Sequence, residues 1–121
     1  MIIDIKSWPP SVNHYYISRV VKTKTGMRVM KSIGPKGKKF RQDVIDTVGT
    51  VEMFTGNVKV LINVYPPDRR KRDLDNLLKS TLDALTHAGV YEDDSLITRL
   101  SIRKREIEKG GRLVIMVKEI E

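Results

Sequence analysis

The sequence predicts an α+β fold, a mixed β-sheet with two main helices packed on it, and three observations carry that prediction. Residues 57–65, NVKVLINVY, place Val58, Val60, Ile62 and Val64 on one face at the period of a half-buried strand. Residues 74–88 instead space Leu74, Leu77, Leu78, Leu82, Leu85 and Ala88 as the apolar stripe of a helix. Strand-like and helix-like runs alternate along the chain and two more strand-like runs close it, a pattern met by a mixed sheet with helices on one side.

In chain order, Ile3, Ile5 and Trp8 mark a first extended segment that Pro9-Pro10 closes. Residues 17–21 and 27–30, joined at Thr25-Gly26, read as a basic β-hairpin. Gly34-Pro35-Lys36-Gly37 interrupts the pattern, and Phe40, Val44, Ile45 and Val48 then place a helix over residues 38–48 that ends at Gly49. The strand over 57–65 stops at Pro66-Pro67. Asp73 opens the longest apolar stripe, and Gly89 stands where a C′ glycine belongs. After the acidic turn Glu92-Asp93-Asp94, strands over 96–105 and 113–118 flank Lys109-Gly110-Gly111, which predicts an antiparallel hairpin. No repeat, low-complexity tract or linker divides the chain, so one domain over residues 1–121 is expected.

Composition narrows the function. With 121 residues and 40% apolar side chains the chain can build one modest core. It has no cysteine, which removes disulfides, zinc-thiolate sites and thiol nucleophiles. No run approaches the ~18 apolar residues of a membrane span, and the start MIIDIKSWPP lacks the basic and apolar regions of a secretory signal. A soluble cytoplasmic protein without a membrane partner is expected. The net charge of +8 is unevenly spread: residues 5–42 hold ten Lys/Arg and no acid, residues 43–121 thirteen basic and fourteen acidic residues. Such asymmetry points to a polyanion, nucleic acid first, with a merely solvated basic face as the alternative. Within the basic third, Lys36, Lys38 and Lys39 are assigned to DNA.

The segment PPDRRKRDLDNLLK, residues 66–79, carries the chemistry. Four cations, Arg69, Arg70, Lys71 and Arg72, run directly into Asp73 and Asp75 at a strand-to-helix junction. In an extended lead-in, side chains two apart point the same way, so both carboxylates can face one cation. Asn76, Lys79 and Asp83 then continue along the polar side of the helix. Phosphodiester hydrolysis needs charge neutralised on the phosphate and hydroxide made near pH 7; oxygen-ligated Mg²⁺ does both and needs few carboxylates. Lys79 would stabilise charge on the scissile phosphate or orient the attacking water. Arg69, Arg70, Lys71 and Arg72 would hold flanking phosphates. A third carboxylate comes from Glu92-Asp93-Asp94, which follows the helix by a short connection and is expected to return toward Asp75.

Each residue also has a plainer use. Asp73 suits a helix N-cap, Asp75 complements the helix dipole, Asp93-Asp94-Ser95 is a common turn, and Lys79 alone would be a solvated surface lysine. Trp8 suits the core, and Tyr15-Tyr16 either stack on bases or pack inside. His14 and His87 share no metal-ligand spacing; His87 suits the C-terminal end of its helix. Neither a GxSxG elbow nor a GxxxxGK[ST] loop is present.

WPPSVNHYY near the start, PPDRRKRDLDNLLKSTLDALTHAGVYEDD in the middle and KGGRL near the end resemble the RusA family of Holliday-junction resolvases. The resemblance implies a RusA-like fold and a crossover junction endodeoxyribonuclease. It would act with Mg²⁺ or Mn²⁺ on four-way junction DNA as a homodimer that makes paired symmetric nicks in recombination and repair. It also implies Asp73, Asp75 and Asp94 as catalytic, metal-holding carboxylates and Lys79 as the lysine the reaction needs, with Asp93 a second candidate in the same turn. A homodimer suits such a task because two like strands must be cut symmetrically. Two other readings meet the charge pattern: a non-catalytic DNA-binding module, which leaves the three aspartates without purpose, and a nuclease of flaps, forks or single strands.

Overall fold

The computed structural model describes residues 1–120. Its elements are β1 (Ile2–Ile5), a one-turn helix α1 (Val12–Tyr15), β2 (Tyr16–Thr23), β3 (Gly26–Ile33), α2 (Pro35–Val48), β4 (Val58–Tyr65), α3 (Asp75–His87), a 3₁₀ turn (Asp94–Leu96), β5 (Ile97–Lys104) and β6 (Arg112–Glu119). The main sheet has the order β1-β6-β4-β5, and β2-β3 is a separate two-stranded sheet. β6 runs antiparallel to both β1 and β4, and β5 runs parallel to β4. This is the mixed sheet with two main helices that the alternating pattern predicts.

The period of β4 builds the core. Val58, Val60, Ile62 and Val64 are buried, together with Leu113, Ile115 and Val117 of β6 and Ile3 and Ile5 of β1. Phe40 and Val44 of α2 and Leu77, Ala84 and Leu85 of α3 cover that face. On the other face Ile2 and Met116 meet solvent.

Four expectations are corrected. The last two strands are not a hairpin, because β4 lies between them. The seven residues between β5 and β6 pass over the end of β4, with Arg105 N–H donating to Val64 O and Glu108 N–H to Pro66 O. A parallel β4-α3-β5 crossover buries Leu77 and Leu85 against the sheet, which a terminal hairpin beside β4 would not require. Second, α2 starts at Pro35 rather than residue 38, since proline at N1 loses no hydrogen bond there. Third, α3 starts at Asp75 and is rolled: Ser80 and Thr81 are buried while Leu78 and Leu82 are half-buried. The roll is cheap because Ser80 Oγ donates to Pro10 O at 2.9 Å and Thr81 Oγ1 to Leu77 O at 2.8 Å. Fourth, residues 12–15 form a helical turn where the sequence shows only a lead-in.

Candidate functional site

Residues 66–74 leave the end of β4, and local hydrogen bonds shape them. Asp68 Oδ1 accepts the Arg70 N–H at 2.9 Å, an Asx-type turn, and the Arg72 guanidinium at 2.7 Å. The Arg72 hydrogen bond, helped by the Arg70 N–H, lowers the Asp68 carboxyl to about 2. Lys104, at the end of β5, donates its Nζ to Arg72 O at 2.9 Å. The Arg72 guanidinium lies 5.4 Å from the centre of the Trp8 ring. Behind the indole, Gly111 has φ +79° and leaves no room for a side chain, as a Cβ there would fall 2.7 Å from Trp8 Cβ. WPPS, RRKRDLD and KGGRL, far apart in sequence, therefore meet at one end of the sheet.

The first two of these segments border a cleft of about 560 Å³ whose walls include Trp8, His14, Lys36, Arg70, Lys71, Arg72, Asp73 and Asn76. Asp73 does not cap α3: the N-cap position falls on Leu74, without a side-chain bond, and Asp73 contributes only its carbonyl, to Asn76 N–H. Nor do the cations neutralise it. Among the described residues the ion pairs of this segment go to Asp68, and Asp73, Asp75 and Asp94 take part in none. Asp75 and Lys79 are one turn apart on the exposed side of α3, opposite Leu77 and Ala84. A pair of exposed carboxylates, oxygen donors with no protein counter-charge, fits a hard divalent cation that keeps several of its own waters.

The structure separates the remaining candidates. Asp93 accepts the Ser95 N–H at 3.0 Å and caps the 3₁₀ turn, and the Ser95 hydroxyl, helped by that N–H, lowers its carboxyl; Asp94 beside it is exposed and unpaired. That turn precedes β5 at Ile97, which pairs with Val58 at the start of β4, whereas Asp73 and Asp75 follow the end of β4. Helix α3, about 18 Å long at ~1.5 Å per residue, lies between them. The expected return of the acidic turn toward Asp75 does not occur. Among the described residues no three His, Cys, Asp or Glu side chains are grouped closely enough to hold a metal ion. Asp83 also leaves the polar row, for it is half-buried and accepts hydrogen bonds from the Tyr15 hydroxyl and from Arg41 Nη2, the latter at 2.8 Å.

Of the assigned cations, Arg69, Arg70, Lys71, Lys36, Lys38 and Lys39 are exposed. Lys39 also meets Asp43 at 3.3 Å, and Arg72 is 18% exposed and occupied by Asp68 and Trp8. His14 and Asn76 line the cleft although spacing gave His14 no role. Its proximity to WPPS was the available signal.

Comparison with known proteins shows the family. The model of the family described as Endodeoxyribonuclease RusA matches residues 9–118. A crossover junction endodeoxyribonuclease RusA of Shigella sonnei (strain Ss046) is 36% identical, over 93% of this chain and 90% of its own length. The proteins of that name from Escherichia coli (strain K12) and Enterobacteria phage 82 are 35% and 36% identical over the same shares. No helix among the described residues is long and apolar enough to cross a membrane. The matched span takes in every residue lining the cleft except Trp8, and the chain belongs to the RusA endodeoxyribonuclease family.

Proposed function

We propose that the protein resolves four-way DNA junctions by paired symmetric nicks, using Mg²⁺, with Mn²⁺ able to replace it. It works as a homodimer in DNA recombination and repair, with residues 1–121 acting as one nuclease domain. One observation carries the reading: Asp73 stands unpaired in a cleft that otherwise offers Lys36, Arg70 and Lys71 to a polyanion. An uncompensated carboxylate there repels phosphate unless a cation comes between them.

Asp73 and Asp75 would hold that ion, with Asp94 as a further carboxylate. A bound divalent ion supplies charge neutralisation at the phosphate and a hydroxide at neutral pH. Lys79, on the same exposed side of α3 as Asp75, would stabilise charge building on the scissile phosphate. Arg69, Arg70, Lys71, Lys36, Lys38 and Lys39 would hold flanking phosphates and set the register of the backbone. Arg72, braced by Trp8 and Asp68, would fix the segment that presents Asp73. The position of Asp94 at the far end of α3 supports the dimer, since a second copy is the available way to bring it to the Asp73–Asp75 pair. The substrate is the one named for the relatives.

Purified protein incubated with a synthetic four-way junction and Mg²⁺ should make symmetric nicks that EDTA abolishes, while a linear duplex of the same sequence stays intact. Asp75→Asn should lose cutting by a factor on the order of 10³ and keep junction binding. Tight junction binding without cutting under any divalent ion would replace this reading with that of an architectural DNA-binding protein.

A further inference from the structure

The β2–β3 hairpin stands apart from the main sheet. An isolated two-stranded ribbon is marginal in water, yet its base is tightly held. Gly34 N–H donates to Tyr15 O at 2.8 Å, and Tyr16 and Ile33 pack against the core. A Cβ at Gly37 would fall 2.6 Å from Tyr15 O and 2.8 Å from Ile33 Cγ1, so α2 presses directly on that base. Beyond the base the ribbon is bare. The cross-strand pair Val20 and Val29 is 60% and 67% exposed, Met27 is 71% exposed, and Lys22 and Lys31 are exposed on the same face. The two strands and their turn carry five Lys/Arg and no acid. The hairpin also springs from the rim of the cleft: Ser11 and His14 precede it, Lys36 follows it, and all three line that cleft.

We propose that this hairpin is a DNA-docking ribbon that lies along a duplex arm beside the cleft. Its cations would meet backbone phosphates, and Val20, Val29 and Met27 would lie against the groove. Its eight-residue strands are about 26 Å long at ~3.3 Å per residue, and a two-stranded ribbon fits the ~12 Å major groove. A second copy is the poorer occupant, because two such ribbons would set like charges against each other. The inference rests on the reading that the substrate is junction DNA and adds where an arm is held.

Fluorescence anisotropy on the full-length protein tests it, with a labelled four-way junction and a labelled linear duplex titrated across a salt series. Lys22→Ser/Lys31→Ser should raise Kd on the order of tenfold at ~0.1 M salt and lower the slope of log K against log salt by about 2. Lys22→Arg/Lys31→Arg should keep both at the parent's values. Val20→Thr/Val29→Thr keeps strand propensity and should weaken binding without moving the slope. Single-turnover cutting at saturating junction should stay within about twofold in all of them, because bound substrate then no longer depends on affinity. An unchanged Kd and slope in the serine variant overturns the proposal. So does a variant that sediments as a smaller species than the parent, which would make the hairpin a self-association surface. Loss of duplex affinity in the serine variant of a parent that cuts nothing would retire the nuclease reading and leave the ribbon standing.

Discussion

Trp8 sits between Arg72 and Gly111, and from there it braces the segment that carries Asp73. The stack takes up one face of the guanidinium, Asp68 takes Nη1, and Lys104 holds the Arg72 carbonyl. With those contacts in place the next residue is delivered to the cleft wall instead of to the helix cap. Trp8→Leu keeps an apolar plug against Gly111 but removes the stack, so Asp73 should wander by about an ångström. A misplacement of that size costs reacting geometry up to about 10²-fold. Single-turnover cutting at saturating junction should therefore fall 10- to 100-fold while Kd stays within about twofold. An equal loss of binding would make Trp8 a DNA contact instead. At this scale the sequence shows the run of cations entering two aspartates, and with it the candidate chemistry. It does not show that Trp8 meets Arg72 on one side and Gly111 on the other, because nothing local couples Trp8 to residues that lie 64 and 103 positions away.

Between elements, one polar cluster ties α2 to α3 across the end of α1. Tyr15 and Arg41 both donate to Asp83, and Arg41 also reaches the Tyr15 hydroxyl at 3.3 Å. Burial works to raise the Asp83 carboxyl, but the two hydrogen bonds and the Arg41 charge outweigh it and hold the group below its ordinary 3.8. A depressed acid stabilises the fold fully above its unfolded pKa and loses that contribution as the pH falls through the folded one. Burial, with the bond to Asp83, pushes the Tyr15 hydroxyl well above its ordinary 10.0, and burial does the same to Tyr91. A raised tyrosine acts in the other direction: its contribution is whole below pH ~10 and fades as the pH climbs toward the folded value. Asp83→Asn should therefore cost ~2 kcal/mol at pH 7 and flatten the loss of stability below pH ~4, while the alkaline limb above pH ~10 persists. Urea unfolding across the pH range reads both limbs; an acid limb as steep as the parent's would assign it to other carboxylates. Asp83 also marks where element-level reading fails. Its place in the polar row of α3 follows from helical spacing, whereas its role depends on Tyr15 and Arg41 arriving from other elements. The roll of α3 has a similar cause, for Ser80 and Thr81 earn burial through carbonyls that hydropathy does not register. β4 is legible because its period alone decides which face is buried, whereas the final two strands read as a hairpin because pairing order depends on the whole sheet.

At the scale of the molecule, the parallel β4-α3-β5 unit places Asp73 and Asp75 at one end of the sheet and Asp94 at the other. The sequence shows three aspartates within 22 positions, close enough to suggest one cluster, and only the direction of the crossover reveals that a single chain holds them apart. If the dimer closes with two-fold symmetry, each site draws Asp73 and Asp75 from one copy and Asp94 from the other. That arrangement makes an asymmetric prediction for mixed dimers. Asp75→Asn and Asp94→Asn should each be inactive alone. In a heterodimer of the two, one site collects both substitutions and the other collects none, so subunit exchange should restore cutting to about a quarter of the parent's sites after random reassortment. The recovered activity should also change character: with one working site per heterodimer, junctions should be nicked on one strand, and paired cuts should be rare within one binding event. Denaturing gels of a junction labelled on each strand in turn separate the two products. Mixtures that remain inactive, with heterodimers verified by a tag on one variant, would mean that each chain builds its own site. Asp94 would then have to reach Asp75 by a rearrangement of the 3₁₀ turn and the end of α3.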